Sequence, residues 1–166
     1  MSAVSAKEAF RDVRGIEVKS ALPAWICLRI APENELKDSV VEFFRSQMAN
    51  LSEELCNNLS TALYELLGNA IEHGGSVDPK CACELNYIRT PRMILIQIRD
   101  AGPGFQLSDV PHAAFNNPPD DPLRHIEFRE NRGMRPGGFG IMLVKQIADE
   151  LIYNETGNEV LLVKYL

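Results

Sequence analysis

The feature that most constrains the fold is a long amphipathic segment, LSEELCNNLSTALYELLGNAIEHGG, which starts at Leu51. At about 100° per residue its apolar side chains fall on one arc. The spacing predicts a helix that Ser52 caps, that carries acidic residues at its positive end, and that runs to about His73 before a Gly-Gly pair. The arc must be buried against another element; it consists of Leu55, Leu59, Ala62, Leu63, Leu66 and Ala70.

The rest of the chain alternates short strands with two further helices. Strands are predicted at Ile16–Val18, Trp25–Ala31, Cys83–Ile88, Met93–Arg99, near Ile152 and at Glu159–Tyr165. One helix opens after Pro32 with Leu36, Val40, Phe43, Phe44 and Leu51 at helical spacing, and another carries Val144, Ile147, Ala148 and Leu151. Hairpin-linked strands with about three helices predict an α+β fold. It is a two-layer α/β sandwich whose sheet is mixed, mostly antiparallel and centred on strands 93–99 and 159–165.

The length of 166 residues fits one domain with a real core. We expect a polar N-terminal arm over residues 1–15 and a single domain over residues 16–166. From Leu107 to Pro136 the chain carries five of its ten prolines and shows no apolar periodicity. A structureless stretch of that length in a compact domain is typical of a lid or a binding loop.

Composition excludes several functional classes. The net charge is −6, from 17 Lys and Arg against 23 Asp and Glu, which argues against direct nucleic-acid binding. No apolar run is long enough to span a membrane, and the first residues lack the apolar centre of a signal peptide. We therefore expect a reduced, cytoplasmic protein. The cysteines are too few and scattered for a disulfide scaffold or a four-ligand zinc site; they are Cys27, Cys56, Cys81 and Cys83.

The long helix carries a polar stripe beside its apolar arc. Glu65 and Asn69 are four residues apart, so their side chains stack on one face. A carboxylate and an amide oxygen, with water, are ligands that Mg²⁺ prefers, and this cation usually also takes phosphate oxygens. Taken alone, the stripe is more typical of a solvated helix face.

A second candidate site lies in MILIQIRDAGPGF, where Asp100 ends the strand face formed by three isoleucines. A carboxylate at the edge of an apolar pocket can accept a hydrogen bond from an exocyclic amine such as that of adenine. Gly102 and Gly104 allow the backbone to turn tightly beside a ligand. The alternative is an ordinary turn leaving a strand.

A third candidate is RPGGFGIMLVKQIADEL, where Gly137, Gly138 and Gly140 precede an amphipathic helix. Such a helix start offers free N–H groups and a positive dipole end to an anion. The segment matches neither the P-loop pattern nor a Rossmann fingerprint, so both of those nucleotide-binding classes are excluded. The alternative is a flexible hinge.

Together, in this order, the three motifs resemble the GHKL (Bergerat-fold) ATP-binding superfamily of gyrase, heat-shock chaperone, histidine kinase and MutL-type domains. The segment ELLGNAIEHG and the compact length look most like those of bacterial anti-sigma-factor serine/threonine kinases. The resemblance covers the chain from about Trp25 onward. The family often has Gly-Thr before its last strand, whereas Asn158 follows Gly157 here; an asparagine can still form a hydrogen bond there.

The resemblance implies a role for each motif residue. Asn69 would hold the Mg²⁺ that bridges the ATP phosphates, and Glu65 would be the catalytic base. Asp100 would bind the adenine amine in a pocket shaped by Gly102 and Gly104. Gly138 and Gly140 would contact the phosphates, with the 107–136 segment as the ATP lid. Lid arginines are candidates for a phosphate contact, although acidic neighbours balance most of them; they are Arg124, Arg129, Arg132 and Arg135.

By the same resemblance, the protein would be an anti-sigma regulatory factor. It would sequester a sigma factor and phosphorylate a small anti-sigma-factor antagonist with ATP, and a homodimer is a further expectation. A stress-signalling switch kinase acting on another regulator and a non-catalytic ATP-sensing module are the alternatives. A histidine kinase core is disfavoured because the segment before the domain is too short for the paired helices that present a phospho-accepting histidine.

Overall fold

The computed structural model describes residues 5–22, 24–75, 83–105, 114, 117–132 and 138–166. Six strands form one sheet, and every neighbouring pair is antiparallel. Their order is β1-β2-β3-β4-β6-β5. The strands are β1 (Ile16–Leu22), β2 (Trp25–Ile30), β3 (Cys83–Arg89), β4 (Met93–Arg99), β5 (Glu150–Tyr153) and β6 (Glu159–Tyr165).

Helices cover one face of this sheet. The described helices are α1 (Ala6–Ala9), α2 (Leu36–Gln47), α3 (Glu53–Gly75), α4 (Arg124–Asn131) and α5 (Gly140–Ile147), of which α1, α3 and α5 contact strands. Residues of α2, α3 and α5 share one core with alternate residues of the strands, such as Leu28, Leu85, Ile96 and Leu162, all almost completely buried. The predicted α+β two-layer sandwich is confirmed. Within the described strands the sheet is wholly antiparallel instead of mixed, because hairpins and helical excursions return each strand beside its neighbour in the opposite direction.

The long helix forms as its sequence predicts. The Ser52 hydroxyl accepts the Leu55 N–H at 3.3 Å, and Glu53 and Glu54 lie in the first turn, where they favour the positive end of the helix dipole. α3 packs on α2, α5 and β4, so it is the element that connects the helix layer to the sheet centre.

The N-terminal residues form part of the packed structure. Ser5 caps α1 through a capping box with Glu8, and Phe10 packs edge-on against Phe43 with ring centroids 4.9 Å apart. Ala6 and Phe10 are both buried in the core. The proposed division of the chain after residue 15 stays a prediction.

Several boundaries and one strand position differ from the sequence predictions; α2, for example, ends at Gln47, so Leu51 lies beyond it. The last helix ends at Ile147, and Leu151 lies in β5 rather than on the helix, because Ala148 adopts an extended conformation. β4 is one of the two central strands, but β6 is the fifth of six. The segment Leu107–Pro136 is not structureless, since it contains α4. Its helical part is rich in charge, which hid the periodicity.

No helix in the described part of the chain combines the length and apolar character needed to cross a bilayer.

Candidate functional site

The polar stripe of α3 lies where three elements meet. Glu65 and Asn69 are both half-buried, one helical turn apart, while Leu66 and Ala70 beside them are buried. The helix α3 packs on β4, which Asp100 follows directly, and on α5, which follows the glycines. The structure therefore brings the elements of all three candidate motifs together.

Glu65 brings the first and third motifs into contact. A Cβ atom built on Gly140 would collide with Glu65 Oε2 and would lie 3.3 Å from Glu65 Cδ. A side chain at the first residue of α5 would therefore require the Glu65 carboxylate to move from this position. The first turn of α5 contains no acidic residue, and Phe139 at its N-cap provides no side-chain hydrogen bond. The positive end of this helix therefore faces the Glu65 carboxylate from α3.

Asp100 is held by the backbone of its own turn and by the last hairpin. Gly102 N–H donates to Asp100 Oδ1 at 2.6 Å, and Asp100 N–H donates to the Asn158 carbonyl at 3.0 Å. Burial, together with the negative charge of Asp100, raises the pKa of the Cys83 thiol to about 12. A half-buried carboxylate beside a buried, neutral thiol is suited to recognising a hydrogen-bond donor.

The turn after Asp100 interlocks with the β5–β6 turn. Gly104 (φ 74°) and Gly157 (φ 80°) adopt the left-handed conformation that favours glycine. A Cβ on Gly104 would overlap the Thr156 backbone, and one on Gly157 would overlap the Phe105 backbone. The two turns touch through main chain, so neither glycine can be replaced without moving the other turn.

Two asparagines complete this interlock. Asn154 Oδ1 accepts the N–H groups of Gly157, Asn158 and Glu159 at 2.7, 3.1 and 3.2 Å. Asn158 Nδ2 donates to the carbonyls of Asp100 at 3.4 Å and Gly102 at 3.3 Å. The side chain at the position where the family often has threonine thus forms hydrogen bonds to the Asp100 turn.

The glycine-rich segment is in contact with the segment predicted to be a lid. Gly138 has a φ of 98°, and its carbonyl accepts the Ala114 N–H at 2.8 Å. Phe139 packs edge-on against His125 of α4, with centroids 4.5 Å apart. His125 is fully buried, and Asn117 receives its N–H at 3.0 Å while contacting its Nδ1 at 2.6 Å. A lid helix is thereby fixed to the start of α5.

The residue types on α3 are compatible with the predicted magnesium ion, which stays a prediction. Among the described residues no three His, Cys, Asp or Glu side chains cluster as a closed metal site. One amide oxygen and one carboxylate are a sparse donor set, which suits a cation that keeps its waters and takes phosphate oxygens. The assignments of Glu65, Asn69, Asp100, Gly102, Gly104, Gly138 and Gly140 remain predictions.

Sequence reasoning missed two parts of this region. Asn154 has no motif around it, although an asparagine at the start of a Gly-Asn turn is a known turn signal. His125 showed no partner in the sequence, because Asn117 and Phe139 reach it only through the fold. Of the lid arginines, Arg132 stacks on Phe128 at 4.5 Å and Arg124 is exposed. The Arg129 side chain and Arg135 lie outside the described residues, as do His112 and Gly137.

Comparison with protein families gives one match. A family model described as "Histidine kinase-like ATPase domain" matches residues 31–164. This span includes α2, α3, the strands from β3 onward and every residue of the candidate site. A comparison with curated proteins finds no match.

Proposed function

The chain belongs to the histidine kinase-like ATPase domain family, and from this premise we propose that it is a serine/threonine protein kinase and anti-sigma regulatory factor. Family membership makes it an ATP-binding, kinase-like ATPase domain. The proposal adds that the phosphate acceptor is a hydroxyl of a small anti-sigma-factor antagonist, and that the protein also sequesters a sigma factor.

The observation that carries the kinase proposal is the position of Glu65. Its carboxylate lies against the first turn of α5, beside the glycines that would receive the phosphates. A base at this place can take the proton of an attacking hydroxyl. The hydroxyl oxygen then bonds to the γ-phosphorus, the bond from that phosphorus to the β–γ bridging oxygen breaks, and ADP leaves with the electron pair.

The other residues hold the nucleotide. Asp100 accepts the adenine amine, while Gly102 and Gly104 keep the backbone close to the ring. The backbone at Gly138 and Gly140 faces the phosphates, and Asn69 supplies an oxygen for Mg²⁺. When bound, Mg²⁺ neutralises phosphate charge during transfer. Positioning and charge neutralisation account for most of the catalysis in phosphoryl transfer, so this small set suffices.

A labelling experiment tests the proposed activity. We would incubate the full chain with γ-labelled ATP and Mg²⁺ in lysate of its source cell, next to the Glu65→Gln variant, and identify the labelled protein and amino acid. The proposal predicts a small protein labelled on serine or threonine by the wild type alone. A label on histidine, or one that both proteins add equally, contradicts it.

Nucleotide binding separates the kinase from a module that senses ATP by binding alone. Calorimetry should show that Asn69→Ala loses the Mg²⁺-dependent part of ATP affinity. Asp100→Asn should lower the affinity for ATP by about 10- to 100-fold, because hydrogen bonds to charged groups contribute about 1.5–3 kcal/mol. The affinity for GTP, which we expect to be weaker, should not change. Intact binding in the wild type without any transfer would favour the sensing module.

A further inference from the structure

The first residue beyond β4 is held by one residue of the last hairpin. The paired register of β4 and β6 ends at Arg99 and Glu159. Asp100 and Asn158 are therefore the next residues to face each other. In an antiparallel ladder, a facing pair that bonds through the main chain exchanges two hydrogen bonds. One of the two is present here, because the Asp100 N–H donates to the Asn158 carbonyl at 3.0 Å.

A side-chain amide takes the place of the second main-chain bond. The Asn158 N–H donates to Asn154 Oδ1 at 3.1 Å. The Asp100 carbonyl accepts instead from Asn158 Nδ2 at 3.4 Å, and the Gly102 carbonyl accepts from the same Nδ2 at 3.3 Å. Both main-chain polar groups of Asp100 are therefore bonded to Asn158.

Asn154 determines which end of the Asn158 amide faces Asp100. Three main-chain N–H groups converge on one side-chain atom of Asn154, at 2.7, 3.1 and 3.2 Å, so this atom is the amide oxygen. The other end of that amide, Nδ2, donates to Asn158 Oδ1 at 2.9 Å. This bond leaves Asn158 Nδ2 on the side of the two carbonyls, whereas the reverse orientation would place oxygen against oxygen.

The position of the Asp100 carboxylate follows from this network. The Gly102 N–H donates to Asp100 Oδ1 at 2.6 Å, and the carbonyl of the same glycine is bonded to Asn158. Asp100 is thus held both through its own main chain and through the residue that binds its side chain. A recognition group that is fixed before its ligand arrives loses less conformational entropy on binding.

We propose that Asn158, oriented by Asn154, is the positioning residue that gives the site its preference for a base with an exocyclic amine. Both asparagines act through the Asp100 carboxylate and need no contact with the nucleotide. An ionised carboxylate only accepts hydrogen bonds, so it favours the amine of adenine over the carbonyl oxygen that inosine and guanine carry at the same place. The inference rests on the proposed ATP site and does not depend on phosphate transfer.

Calorimetry with ATP and with inosine triphosphate (ITP), both with Mg²⁺, tests the role of Asn158. The two ligands share ribose and phosphates, and in the base of ITP a carbonyl replaces the amine. Asn158→Ala should lower the affinity for ATP by about 3- to 10-fold and leave that for ITP within about twofold, because it removes two hydrogen bonds that hold the Asp100 turn. Retained ITP binding also shows that the variant is folded. Equal losses for both ligands would overturn the proposal.

A second variant separates the positioning role from the fold of the hairpin. Asn154→Asp keeps an oxygen for the three N–H groups and removes the Nδ2 donor that orients Asn158. We expect the same selective loss of ATP affinity as in Asn158→Ala. Asn57→Asp adds the same charge at an exposed position of α3 and should keep the wild-type affinities for both nucleotides. An Asn154→Asp variant that keeps the wild-type preference for ATP would overturn the proposal.

A double-mutant cycle tests whether Asn158 acts through Asp100. Asp100→Asn alone should remove the preference for ATP over ITP. Adding Asn158→Ala should not change the ratio of the two affinities further, because the group that Asn158 positions is already gone. A further loss of the same size as in the wild-type background would overturn the proposal.

The same calorimetry distinguishes failure of this role from failure of the kinase proposal. Binding is measured without transfer, so a wild type that prefers ATP but transfers no phosphate contradicts the kinase proposal alone. A wild type with equal affinities for ATP and ITP would overturn the role of Asn158, because there would be no preference for it to support.

Discussion

The two ends of the candidate site are built in different ways. At the end predicted to bind adenine, the Asp100–Gly104 turn and the Asn154–Asn158 turn interlock through glycine backbone and several hydrogen bonds. At the end predicted to bind the phosphates, the contacts between the segment predicted as a lid and the start of α5 include the Ala114–Gly138 hydrogen bond and the His125–Phe139 ring pair. The predicted adenine end is assembled from close main-chain contact, whereas the predicted phosphate end meets Ala114 through one main-chain hydrogen bond and α4 through a ring pair.

This difference suggests that one end of the site is preformed and that the other changes conformation when the nucleotide binds. An adenine pocket that is formed in advance loses little conformational entropy when the nucleotide enters. The predicted phosphate end joins the start of α5 to a separate helix, and segments of this kind can be ordered by contacts to a γ-phosphate, so we expect it to rearrange as the γ-phosphate arrives and leaves. We therefore expect ATP to change the conformation of the predicted lid and to leave the predicted adenine pocket unchanged.

The largest effect on stability should come from disrupting the contact between the Gly104 and Gly157 turns. Gly104→Ala forces a side chain into left-handed backbone and into the Thr156 carbonyl, so we expect the free energy of unfolding to fall by about 3 kcal/mol or more. The matched control is Gly68→Ala in α3, where a Cβ would lie an ordinary 3.5 Å from Lys37 Nζ. This variant should gain up to about 1 kcal/mol from helix propensity. Urea denaturation measures both, and equal small effects would contradict the interlock.

A medium effect should appear at alkaline pH. Tyr153 packs edge-on against Phe105 of the interlocked turn, and burial raises its pKa to about 12 from an ordinary value of 10.0. The unfolded chain therefore loses this proton first, so the tyrosine's contribution is complete below pH 10 and is lost as the pH rises toward 12. The change amounts to about 2–3 kcal/mol. Tyr153→Phe should show a shallower loss over that range, and an identical pH profile would contradict the assignment.

The smallest effect should be local to the lid. Removing the His125 ring in His125→Ala deletes an aromatic contact of about 1 kcal/mol, so amide exchange in α4 should accelerate roughly fivefold. Exchange in α3 should not change. Leu123→Ala, at an exposed neighbouring position, serves as the control. Faster exchange throughout the chain would show that His125 stabilises the whole fold and not the lid alone.

Some elements of the fold and the site were predictable from the sequence, and others were not. Helical and alternating periodicities identify α3 and β4 well, because their apolar faces are set by packing on one core. The glycine-rich turns are recognisable because their backbone needs glycine. The helix α4 was missed because charged residues obscure its pattern, and its anchor His125 depends on Asn117 and Phe139, which reach it only through tertiary structure. Likewise, Leu151 continues the helical spacing, yet Ala148 is extended and the residue enters β5.

Glu65→Gln, measured for ATP binding and for γ-phosphate transfer on the same protein preparation, tests the central claim most directly. Glutamine has nearly the same shape, so it still fits against Gly140, but it cannot take a proton. We predict ATP affinity within about threefold of the wild type and transfer slower by about 100- to 10,000-fold. Transfer at the wild-type rate, with ATP binding intact, would contradict the assignment of Glu65 as the base.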